Sequence, residues 1–207
     1  YRGSLKIGAH FGTTYSDQGW GQAMSMLTCT ANILSELADE DRPRALYQGL
    51  RHVASECAGR PPRFLVDSLP TGERRSEVFK SWFRGFIEVR DNEGAERCLR
   101  TAIDVGVPPR EIADIVFAGA TDSIYLDAGH VVDFCNKAFE LLDHIGWEHA
   151  SQVLTSLVHG MATARRSEEL NSWRNPIDLS SLVHQAREEL PTLYQEGQEI
   201  REKWYRE

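Results

Sequence analysis

Between Ala120 and Trp147 the chain reads ATDSIYLDAGHVVDFCNKAFELLDHIGW, which brings Asp122, Tyr125, Asp127 and His130 into one short span. An imidazole suits general acid or base work because histidine titrates near neutrality and a hydrogen-bonded carboxylate fixes its tautomer. Asp127 lies three residues before His130 and Asp133 three after it. The pattern therefore predicts a general acid, a general base or a metal ligand at His130, with Asp122 and Tyr125 close by. A plainer assignment competes with it: Asp127 caps a helix, Asp133 pairs with Lys137 one turn on, and His130 is a satisfied boundary side chain.

His52 and Glu56 form a second constellation, four residues apart and so on one face of a helix. Joined to His130 and Asp133 they would make a site of two histidines and one or two carboxylates. That donor set favours iron or zinc, with iron the first expectation for an otherwise open cofactor. The same spacing also arises on any solvated helix face. A dinuclear carboxylate bundle would need two Glu-x-x-His elements; Asp127-x-x-His130 is the nearest approach and has no twin.

The elements that must position these residues are helical. Val131, Val132, Phe134, Cys135, Ala138, Phe139, Leu141, Leu142 and Ile145 recur over one half of a helix from Gly129 to Gly146, with His130 at the seam. The segment 1–21, rich in Gly, Ser and Thr, reads as an irregular arm. A helix follows on Met24, Leu27, Ala31, Leu34 and Ala38, with Asp17 as its expected cap. A second starts at Pro43 and ends at Gly59. The Pro- and Gly-rich stretch 59–75 reads as a long loop. Val78, Phe79, Trp82, Phe83, Phe86 and Ile87 mark a core helix, Asn92 is expected to cap the next, and Pro108-Pro109 open another. A helix from Trp147 to about Arg166 and a last one from Asp178, kinked or split at Pro191, complete the set. The tail 192–207 is so charged that fraying or docking is expected. No stretch alternates as a strand would, so the expectation is an all-α fold. It is one domain of about seven or eight helices, mostly antiparallel neighbours.

Composition narrows the partners. The 207 residues carry 31 acidic against 23 basic side chains, a net charge of -8, which argues against a partner gripped through phosphates and hence against nucleic acid. No apolar run approaches the roughly 20 residues needed to cross a bilayer, so no membrane partner is expected. Cys29, Cys57, Cys98 and Cys135 are dispersed over predicted helices without a CxxC pair, as for reduced thiols in a cytoplasmic protein. The first residue is Tyr1 rather than Met, as in a processed or partial chain. Gly19-Trp20-Gly21 lacks the third glycine and the strand of a dinucleotide fingerprint. A P-loop, an HExxH pair, a GxSxG elbow and a Rieske Cys/His set are all missing. Arg84, Arg90, Arg97 and Arg100 are expected to pair with the excess of acid rather than bind an anion.

Three phrases together resemble the long helical region of bacterial proteins that carry a Rieske [2Fe-2S] domain at their C-terminal end: ALYQGLRHVASECAGRPPRF at 45–64, GAERCLRTAIDVGVPPREIADIVFAGATDSIYLDAGHVVDF at 94–134, and NKAFELLDHIGWEHA at 136–150. The resemblance implies a redox context, a second helical half and a Rieske-type domain as partners, and no [2Fe-2S] cluster held by this chain. His52, Asp122, Asp127 and His130 match the family pattern, whereas Gln48 and Ser123 stand where it carries His, which implies a weakened or inactive site.

Two classes of function follow. One is a helical oxidoreductase component that binds a metal or a small substrate around His130. The other is a non-enzymatic scaffold that docks a Rieske or other redox partner. A third, weaker reading rests on GVPPREIADIVFAGA, which is similar to AhpD-like and carboxymuconolactone-decarboxylase-like helical units; the absent CxxC counts against it. Oligomeric state is left open.

Overall fold

The computed structural model describes residues 1–197 and is all-α, with no strand among them. Two compact units divide the chain, Tyr1–Arg165 and Arg166–Glu207. No helix of the described residues is long and apolar enough to cross a membrane.

The first unit begins with a helix where the glycines suggested an arm. Helix α1 spans Arg2–Thr14 and buries Leu5, Gly8, Ala9, Gly12 and Thr13. Gly8 and Gly12 act here as contact residues rather than helix breakers. A Cβ at Gly8 would stand 2.5 Å from Leu50 and 2.9 Å from Leu27, and one at Gly12 would meet Met24 and Val53. The bare backbone lets α1 lie close against α2 (Gln22–Ile33) and α3 (Arg42–Cys57). Asp17 does not cap α2. The first helical turn is satisfied instead by Glu56, whose Oε2 accepts the Ala23 N–H at 3.0 Å. Gly21 precedes that turn because the Glu56 carboxylate leaves no room for a Cβ.

Pro43 occupies the first turn of α3, where its missing N–H costs nothing, and Leu46, Gly49, Val53 and Cys57 form the buried face. Residues 59–75 hold no helix or strand, as expected, but the segment is tethered. The Arg63 N–H donates to the Thr14 carbonyl at 2.6 Å, and the Leu69 N–H to Thr101 Oγ1 at 2.8 Å. Helix α4 (Ser76–Glu88) sinks Phe79, Phe83 and Ile87 into the core. Each such side chain contributes about 1.5–3 kcal/mol of burial.

Helix α5 (Asn92–Asp104) is capped one residue earlier than expected, by Asp91, whose carboxylate accepts the Gly94 N–H at 2.9 Å. Helix α6 (Pro109–Thr121) starts on the proline pair and packs on α4, and α7 (His130–Ile145) closes the core with Val131, Cys135, Ala138, Leu141, Leu142 and Ile145. The expected helix over 147–166 is divided into α8 (Ala150–Thr155) and α9 (Val158–Thr163). At the break, the Ser156 carbonyl accepts the Trp20 N–H at 2.7 Å. That extra helix break, and α1, account for the helices among the described residues beyond the seven or eight expected.

In the second unit, two short 3-10 turns lead to α10 (Leu179–Glu196), capped by Asp178, which accepts the Ser181 N–H at 3.0 Å. The helix runs through Pro191 as a single span rather than splitting. The charged tail expected over 192–207 lies, from 198 on, outside the described residues.

Candidate functional site

The approach to α7 is unusual backbone. Tyr125, Asp127 and Ala128 have φ of 48, 44 and 56°, and Gly129 follows at 92°. Such left-handed conformations are costly for side-chain-bearing residues and persist only where surroundings fix them. Here Leu126 is buried as an anchor, and the Asp127 N–H donates to the Arg165 carbonyl at 2.9 Å. Helix α7 consequently begins abruptly at His130. Asp127 is not one helical turn behind it, and no side chain caps the α7 N-terminus.

These local facts separate the expected constellation. Asp122 is held by Arg84 in a two-pronged ion pair, Nε to Oδ2 at 2.6 Å and Nη2 to Oδ1 at 2.8 Å. That bond also lifts the Arg84 guanidinium above its ordinary pKa. Tyr125 is exposed. The His130 ring is exposed too, and its contact is a stacked arrangement on Phe134 with centroids 5.9 Å apart. None of Asp122, Asp127 and Asp133 is hydrogen-bonded to it. The plain assignment is revised as well: Lys137 bonds Glu140 at 2.9 and 3.0 Å rather than Asp133. Asp133 sits in the first turn of α7, where the helix dipole favours a carboxylate.

Three of the candidates nonetheless meet in one place. His130 and Asp133 from α7 and His52 from α3 line a cleft of about 740 Å³ whose floor is α2. Helix α2 packs against both α3 and α7, and Gln48, one turn before His52, completes the α3 wall. Met26, Ile33 and Phe134 supply the apolar lining, and Gln22, Cys29 and Thr30 add polar atoms. Composition and spacing pointed to the two histidines and Asp133 but not to α2. Its signal was present: Met26, Cys29, Thr30 and Ile33 form a second stripe at helical spacing, opposite the buried Met24, Leu27 and Ala31.

The proposed metal set does not assemble. Among the described residues no group of three or more His, Cys, Asp and Glu side chains is placed to hold a metal ion. Glu56 is committed to the α2 backbone and lines a neighbouring hollow of about 210 Å³ that shares His52 as a wall. Among the described residues, those of the cleft are not grouped as an iron or zinc centre requires. Ser123 does not line the cleft, whereas Gln48 does.

Of the four cysteines, Cys57, Cys98 and Cys135 are buried, as expected of packed thiols; Cys29, in the cleft, is exposed. Burial pushes the Cys98 and Cys135 thiols up to about 12, which leaves them unreactive.

The expected arginine pairings are present at Arg84 with Asp122, Arg97 with Glu93 and Arg100 with Asp104. A more deeply buried pair was missed. Arg63 and Glu96 lie 2.8 Å apart with side chains only 7% and 6% exposed, and Arg63 also donates to the Thr155 carbonyl and hydroxyl. Their separation in sequence hides them.

Against known proteins, no family model, no curated protein and no solved structure matches the chain.

Proposed function

We propose that this chain binds a small organic molecule in the cleft between α2, α3 and α7, around His130 and His52. One observation carries the reading: residues from three helices, one of them remote in sequence from the other two, line a single hollow of about 740 Å³. That volume falls within the roughly 300–1,000 Å³ range of small-molecule sites, which are mostly apolar with a few placed polar groups. Met26, Ile33 and Phe134 would hold the body of the ligand, while the imidazoles of His52 and His130 and the amide of Gln48 offer it donors and acceptors. In the redox setting that the sequence resemblance implies, the cleft is the place on this chain for the substrate, with electrons supplied by a partner.

The test uses a neutral fluorescent probe, N-phenyl-1-naphthylamine, which brightens in apolar surroundings. Wild-type protein is expected to give saturable fluorescence. Cys29→Trp, which fills the cleft from the exposed side of α2, is expected to abolish it while the far-ultraviolet circular dichroism stays helical. Equal binding by the filled variant would refute the reading.

A further inference from the structure

The charge around the cleft narrows what it accepts. Among its lining residues Asp133 is the one with a fixed charge, and no lysine or arginine lines it. The Asp133 carboxylate makes no hydrogen bond or ion pair among the described residues, although it stands exposed at the cleft wall. The nearest cation on its own helix, Lys137, is occupied by both oxygens of Glu140. The helix dipole at the α7 N-terminus offsets part of the Asp133 charge, but a dipole end is worth about half a charge and is screened by water. The formal charge of the cleft lining, with its histidines neutral, is negative, as is that of the chain as a whole at -8. Beside this carboxylate lie an aromatic ring, Phe134, and a polarisable thioether, Met26, both suited to the flank of an organic cation.

We infer that the ligand class of this cleft is a protonated amine on an apolar, ring-sized body, its ammonium paired with Asp133 and its body laid between Phe134 and Met26. The inference rests on the cleft being a binding site, as proposed above, and adds the sign of the ligand's charge. An anionic ligand of the same shape would meet Asp133 with no lysine or arginine in the cleft lining to compensate, which disfavours it.

Three molecules of matched size separate the possibilities: 2-phenylethylamine, 2-phenylethanol and phenylacetate, each titrated calorimetrically into the full chain at low ionic strength. The amine is expected to bind about tenfold more tightly than the alcohol, and the acid more weakly than either. Asp133→Asn is expected to bring the amine down to the level of the alcohol, whereas Asp143→Asn, an exposed carboxylate further along α7, keeps the preference. Raising the salt concentration should shrink the gap. If the alcohol binds and the amine binds no better, or if Asp133→Asn leaves the preference intact, the ligand class is wrong while the cleft reading stands. If none of the three binds, both fall.

Discussion

Glu56 illustrates how a side chain with metal-ligand spacing can be spent on backbone. Four residues after His52 and on the same helix face, it turns instead to the first turn of α2, where it accepts the Ala23 N–H from across the helix pair. Helix α2 has no side-chain cap of its own, so Glu56→Ala is expected to lower stability by about 1 kcal/mol, the cost of a lost N-terminal acceptor. Glu56→Gln, which keeps an acceptor oxygen, should lose less. Urea denaturation of the two variants measures the difference; equal losses would remove the capping role. His52 and His130 were legible as candidates because their types and helical positions are local properties. Asp122 and Asp127 were misread because a carboxylate's use depends on partners that spacing does not reveal. Arg84 lies 38 residues from Asp122, and a run of left-handed residues turns the backbone at Asp127.

Among the helices, periodicity recovered most of what positions the site. The apolar rhythms of α3, α4, α6 and α7 appear as buried faces, and the proline and glycine signals at Pro43, Gly59 and Pro108 fall at element ends. Helix α1 escaped because glycine weakens a helix when judged by propensity alone, while close packing can require it. That distinction is measurable. Gly8→Ala places a methyl against Leu27, which is fully buried, and Leu50. Its packing cost of about 1–3 kcal/mol should exceed the gain in helix propensity, giving a net loss. Gly85→Ala, in the last turn of α4 with nothing within 4 Å of the new methyl, should raise stability by up to about 1 kcal/mol. Thermal unfolding of the pair is expected to move in opposite directions; a stabilised Gly8→Ala would contradict the close approach of α1.

In the unit Tyr1–Arg165 taken whole, the core is apolar apart from a few polar groups, of which the Arg63–Glu96 pair carries the most charge. It fastens the long loop to α5 and, through Thr155, to α8. Burial raises the Glu96 pKa and lowers that of Arg63, so desolvation outweighs the attraction between them in each shift. A carboxyl raised on folding contributes stability that is present below its ordinary pKa and lost as pH rises through the raised one. The stability of wild type relative to Glu96→Gln, which does not titrate, should therefore fall as pH rises from about 4 toward neutrality. A margin that grows with pH over that interval would reverse the sign assigned to burial. This pair was not readable beforehand, because it joins residues whose nearness only the packed helices create; the second stripe of α2 was readable as a stripe, but not as a wall of the cleft.

The cleft is where these scales meet, and the ring signals of the seven histidines report on it directly. In proton–carbon NMR spectra recorded during a titration with 2-phenylethanol, the rings of His52 and His130 are expected to shift along one saturating curve, because both line the cleft. Those of His10, His144, His149, His159 and His184, which do not, should stay in place. Absence of any saturable shift at His52 and His130, or a shift confined to the other five, would contradict the assignment of this cleft as the functional site.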